Sequence, residues 1–205
     1  MVDPVELPTG IVERVLGGLP VVYPTTTLPA LGCLPTPNAL DSLFEIKNRS
    51  ETKIVSLGVC DLEQAANLVE IPDIAQDILD SFPPGALTLI LPAIETLDPR
   101  LGGDNVAVRV LADARARKLV SETGPLTATS ANPSGEAPAS DCVEAAEILN
   151  LPLSAAFPGQ CVGGAPSTLI RWNVSGDALQ DSDWTVIREG KVRTEEIQAW
   201  SMQRT

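Results

Sequence analysis

Five short segments gather hydroxyl, amide or cationic side chains, four of them beside glycine or proline, and each could meet a small anion. In YPTTTLPALGC, residues 23–33, Thr25, Thr26 and Thr27 follow an apolar stretch. Hydroxyls at a strand end can donate to a carboxylate or a phosphate, or simply serve the strand as β-branched residues. In IKNRSETK, residues 46–53, Lys47 and Arg49 close a helical pattern and Lys53 follows. Lysine supplies a point charge and arginine a planar fork, the pair that grips a phosphate chain. Cations at that end of a helix also complement its dipole. In LTATSANPSG, residues 126–135, Ser130, Asn132 and Ser134 leave a strand pattern for a loop that ends in Gly135, where backbone can come close to a ligand. GGAPSTLI, residues 163–170, sets two glycines before Ser167 and Thr168, as an anion-binding nest would. It lacks the G-K-[ST] of a Walker loop. VIREG, residues 186–190, holds Arg188 beside a glycine turn.

Arg109 is a signal of another kind, because it sits inside the apolar run VAVRV. A buried guanidinium is almost never left without a counter-charge. Arg109 therefore needs a carboxylate, from the protein or from a ligand.

The elements that must carry these residues alternate between helix and strand. Helical spacing marks residues 9–17, 38–48, 62–70, 73–82, 113–122, 140–149 and 194–202. Asp61 with Gln64 resembles a capping box for the third of these. Strand patterns cover residues 20–24, 53–59, 86–91, 105–110, 125–130, 153–157, 166–172 and 184–188. Mixed strands and helices in this order predict an α/β fold with a mixed sheet under helices. One domain over residues 1–205 is expected, with a core at about 10–192.

Composition excludes more than the motifs establish. The chain has no histidine, which removes Ser-His-Asp triads, Cys-His dyads and His-ligated zinc. Cysteines 33, 60, 142 and 161 form no C-x-x-C pair and read as small buried hydrophobes. No metal site is expected from the protein's own residues. A net charge of −13 opposes broad nucleic-acid binding, yet Lys47, Arg49 and Lys53 cluster, as do Arg188, Lys191 and Arg193. No apolar run reaches the length of about 20 residues that a membrane helix needs. The acidic, proline-bearing start MVDPVELP does not resemble a secretory signal, so a cytoplasmic address is expected.

Taken in order, YPTTTLPALGC, IKNR, FPPGALTLIL, VAVRV, TATSANPSG, PSTLI and VIREG resemble the YrdC-like domain of threonylcarbamoyl-AMP synthases over roughly residues 10–192. TSANPSG is the most specific piece. The resemblance implies a twisted mixed sheet flanked by helices around a deep groove. It implies a nucleotidyltransferase that joins L-threonine, bicarbonate and ATP, with Mg2+ carried on the nucleotide, and releases pyrophosphate. The product serves threonylcarbamoyladenosine formation in tRNA, with tRNA-modification proteins as partners. By the same resemblance Thr25, Arg109 and Ser167 meet the amino acid. Lys47 and Arg49 carry the catalysis, and Lys47, Arg49, Lys53, Ser130, Asn132 and Arg188 hold the nucleotide. The chain departs from the family pattern at Thr26, Pro29, Ala30, Ser50, Ala86, Leu111 and Glu189. Two alternatives therefore stay open: a YrdC-like protein that binds a nucleotide or small anion without turnover, and a double-stranded RNA binder, which the charge disfavours. Longer family members carry an extra C-terminal domain, which is not expected here.

Overall fold

Alternation along the middle of the chain dictates a sheet with two unlike faces. In residues 105–110 the valines 106, 108 and 110 share one face, while Asn105, Ala107 and Arg109 share the other. The structure, a computed structural model, describes residues 5–175 and 178–203, so both ends of the expected 1–205 span lie outside the described residues.

In chain order the elements are α1 (Ile11–Leu16), β1 (Val21–Tyr23), β2 (Ala30–Gly32), α2 (Pro37–Ile46), β3 (Leu57–Val59), α3 (Leu62–Ala65), α4 (Ala75–Ser81), β4 (Leu87–Pro92), β5 (Asn105–Val110), α5 (Ala114–Thr123), β6 (Leu126–Thr127), β7 (Thr129–Ser130), α6 (Cys142–Ile148), β8 (Thr168–Ser175), β9 (Ala178–Arg188) and α7 (Thr194–Met202). Six strands form a mixed sheet in the order β6-β3-β5-β4-β8-β9, and β1-β2-β7 form a second, antiparallel sheet. Within the larger sheet β3–β5 and β4–β8 are parallel and the other pairs antiparallel.

One face of the larger sheet makes the main core. Leu87, Leu89 and Leu91 of β4, Val106 and Val108 of β5, and Ile170 and Trp172 of β8 pack there with Leu43 and Phe44 of α2, Ile78 of α4 and Ile197 of α7. Burying each such side chain is worth about 1.5–3 kcal/mol. A second cluster joins α1 and α5 to the small sheet through Ile11, Val15, Tyr23, Leu119 and Phe157. The helices start where short acids can cap them. The Asp113 carboxylate accepts from the amides of Arg115 and Ala116 at α5, and that of Asp141 from Val143 and Glu144 at α6. Asp61 accepts from the Gln64 amide at α3, and Gln64 reaches back to the Cys60 amide.

Three expectations change. The helix over 62–70 shortens to α3. The strand over 153–157 is a 3-10 turn at Leu153–Ala155, between Pro152 and Pro158, which lack amide donors for a ladder. The single strand over 125–130 splits between sheets. β6 pairs with β3 and β7 pairs with β2, and Ala128 between them donates its amide to the Ser56 carbonyl.

Candidate functional site

The second face of the larger sheet, with β7 and the Thr27–Ala30 loop as a wall, encloses a groove of about 560 Å3. That lies within the range of small-molecule sites. The strands feed it by period-2 alternation: Thr88 and Ile90 from β4, Ala107 and Arg109 from β5, Leu169 and Arg171 from β8. Arg49, Arg109, Arg171 and Arg188 all line it, and none of the described lining residues is Asp or Glu. In a chain of net charge −13 this is a local reversal of sign.

Arg109 lies at the floor and is 7% exposed. Its Nε donates to the Gly85 carbonyl at 2.9 Å and its Nη2 to the Thr27 hydroxyl at 3.1 Å. No carboxylate among the described residues pairs with it. Burial, and to a lesser degree the charge of Arg188, pull its pKa below the ordinary value. The sequence leaves open whether protein or ligand supplies the counter-charge, and the described protein residues do not supply it.

The other expected residues divide into two groups. Arg49, Ser130, Ser167 and Arg188 join Arg109 in the groove. Arg49 is tethered by Nε to the Lys53 carbonyl and by Nη2 to the Ile54 carbonyl, both at 2.9 Å, and its guanidinium lies over Phe44. Burial lowers its pKa. Ser167 shares a hydrogen bond of 2.7 Å with Thr88, and its carbonyl accepts from Arg188 Nη2 at 2.8 Å.

Thr25, Lys47, Lys53 and Asn132 are not on the groove wall. The Thr25 hydroxyl donates to the Leu28 carbonyl and meets Thr27 at 3.1 Å, so it shapes the loop from behind. Lys47 is 1% exposed, and its ammonium donates to the carbonyls of Ser130 and Asn132. Burial, reinforced by Arg49, pulls its pKa down to about 8. It stitches the end of α2 to the S-A-N loop. The Asn132 amide nitrogen donates within that loop to the carbonyls of Pro133 and Glu136, while Lys53 is exposed. The glycines at 163–164 form no open nest, because the Gly163 amide donates to the Thr27 carbonyl.

Thr88 and Arg171 are groove residues that motif reading passes over, although strand alternation contains their signal, and of the three threonines read together it is Thr27 that lines the groove. Pro29 and Ala30, two of the departures from the family pattern, do line the groove. Glu189 does not neutralise Arg188: its carboxylate accepts from the Thr194 amide at the start of α7, which lowers its pKa. No three His, Cys, Asp or Glu side chains cluster as a metal site among the described residues. No described helix is long and apolar enough to cross a membrane.

The Sua5/YciO/YrdC family profile, described as "Telomere recombination", matches residues 14–190. The threonylcarbamoyl-AMP synthase of Photobacterium profundum is 30% identical over 187 residues, covering 88% of this chain and 97% of that protein. The Stenotrophomonas maltophilia protein of the same name is 34% identical over 171 residues, 80% of this chain and 91% of its own length. Among solved structures, P. abyssi Sua5 complexed with L-threonine superposes with a TM-score of 0.77 at 30% identity, over 92% of this chain and 55% of that longer chain. E. coli YciO gives 0.69 at 27% identity, over 88% of this chain and 87% of its own. With a profile match over most of its length and relatives of this similarity, the chain belongs to the Sua5/YciO/YrdC family.

Proposed function

We propose that the groove forms threonylcarbamoyl-AMP from L-threonine, bicarbonate and ATP, with release of pyrophosphate. The observation that carries this reading is Arg109, a buried cation to which no described residue supplies a counter-charge, at the floor of a groove whose described lining holds no acid. An amino-acid carboxylate meets that need, and the relatives named threonylcarbamoyl-AMP synthase match most of this chain in sequence. The amine, set near Thr27 and Ser167, adds to bicarbonate, and loss of water leaves a carbamate. A carbamate oxygen then attacks the α-phosphorus, and the bond to the bridging oxygen breaks. Arg49 and Arg188 offset the phosphate charge, and Lys47 holds the wall that carries Ser130. The work is positioning and charge stabilisation, so the absence of histidine is no obstacle. The described groove lining offers no carboxylate to a metal, and Mg2+ travels on the phosphates as part of the substrate. The product is an acyl donor for an adenosine amine in tRNA.

The test is pyrophosphate release from MgATP and bicarbonate, with and without L-threonine. A threonine-dependent rate lost in Arg49→Ala supports the reading. Nucleotide binding without any such rate would replace it with a binding protein whose amino-acid half, altered at Pro29 and Ala30, no longer turns over.

A further inference from the structure

The reaction above uses Arg49, Arg109 and Arg188 and leaves Arg171 without a task, although Arg171 lies in the same groove. Strand register fixes where it stands. Ile90 is opposite Arg171 on one side and Ala107 on the other. The neighbouring row contains Thr88 and Leu169, continues to Arg188 on β9, and by the β4–β5 register continues to Arg109. The groove face thus has an inner row ending in Arg109 and Arg188 and an outer row containing Arg171. Two strand residues separate the rows, about 6.6 Å.

The four arginines also differ in what they already hold. Arg49, Arg109 and Arg188 each donate to a protein carbonyl or hydroxyl. Arg171 is exposed and makes no hydrogen bond or ion pair to any described residue. Among the described residues its guanidinium donors are uncommitted, one row outward from the row that would hold the amino acid and the α-phosphate.

We propose that Arg171 holds the departing pyrophosphate, an inference that rests on the synthase reading. When the carbamate oxygen bonds to the α-phosphorus, the bridging P–O bond breaks and its electron pair leaves on pyrophosphate. Negative charge then grows outward from the α-phosphorus along the groove. A guanidinium there matches phosphate oxygens with parallel N–H donors. Arg171 therefore sets leaving-group affinity and not amino-acid affinity.

The experiment is equilibrium binding of inorganic pyrophosphate, AMP and L-threonine, measured by calorimetry at one ionic strength, for the wild type, Arg171→Gln and Arg171→Lys. Loss of one charge-assisted contact weakens pyrophosphate binding by about tenfold or more in Arg171→Gln. AMP and threonine stay within about twofold in the same variant, and Arg171→Lys falls between. In turnover, KM for ATP rises and inhibition by added pyrophosphate weakens, while KM for threonine holds. Pyrophosphate affinity unchanged in Arg171→Gln, an equal loss for AMP, or no pyrophosphate binding to the wild type would each overturn the assignment. The binding arms need no turnover. A wild type that binds pyrophosphate through Arg171 but releases none with threonine would sink the synthase reading and leave the anion site standing.

Discussion

Replacing Arg109 with methionine separates a ligand-binding role from a structural one. The guanidinium has five N–H donors, and two are committed, to the Gly85 carbonyl and the Thr27 hydroxyl. Enough remain for a carboxylate to accept in parallel. Removing one partner of a buried ion pair costs about 3–5 kcal/mol. At about 1.36 kcal/mol per factor of ten, kcat/KM for threonine falls by roughly 150- to 5,000-fold. Stability behaves differently, because the same substitution takes an uncompensated cation out of the interior. Two lost hydrogen bonds and one relieved desolvation leave a net change within about 2 kcal/mol, or about 4–8 °C in Tm for a chain of this length. Arg109→Lys, which keeps the charge and loses the fork, recovers part of the activity. The assays are threonine-dependent pyrophosphate release, threonine binding by calorimetry, and thermal melting. Threonine affinity within about threefold of wild type in a folded Arg109→Met protein would refute the reasoning. A melting temperature lower by far more than about 8 °C would show Arg109 to be a tether for Gly85 and Thr27 instead.

Gly85→Ala should depress threonine binding with a stability loss of about 1–2 kcal/mol, because Gly85 has φ +71° and a Cβ would stand 2.7 Å from the Thr26 hydroxyl. Unchanged threonine binding would show that its carbonyl does not aim Arg109. Thr25→Val removes a buried hydroxyl bonded to Leu28 and Thr27, and lowers stability by about 1–3 kcal/mol in a denaturant titration. Thr27→Val removes one contact to Arg109 and one to Thr25, raises KM for threonine by about fivefold and lowers stability by about 1–3 kcal/mol. Lys47, pulled down to about 8 by burial, binds fewer protons folded than unfolded between there and its ordinary value. The unfolded state holds the extra proton in that window, so stability rises with pH above about 8 relative to Lys47→Met. Parallel pH profiles of the two proteins would contradict this.

The sequence made the sheet legible because its alternation is strict. NVAVRV became β5 with the expected bounds, and 194–202 became α7. Arg109 stood out for the reason that matters physically, a charge among valines. By contrast, β2 is three residues long and has too little pattern to read against two prolines nearby. The split of 125–130 follows from which sheet each pair of residues joins, a long-range fact with no local signature. Lys47 and Thr25 carried the right chemistry for a ligand but were claimed by backbone carbonyls of loops distant in sequence or just ahead. Thr88 and Arg171 could have been found by applying to LTLILP and STLIRW the same two-face reading that singled out Arg109.

The handover at Ala128 has a kinetic consequence. One residue separates the strand that belongs to the groove floor from the strand that belongs to its wall, and the Ser56 hydroxyl donates to the Ala128 carbonyl across the junction at 3.0 Å. Such a link leaves no slack for a hinge. Floor and wall are thereby expected to form one cleft before any ligand enters, with reorganisation on binding limited to side chains. Association should then depend on encounter and on ionic strength, with a linear dependence of observed rate on ligand concentration and no saturating isomerisation step.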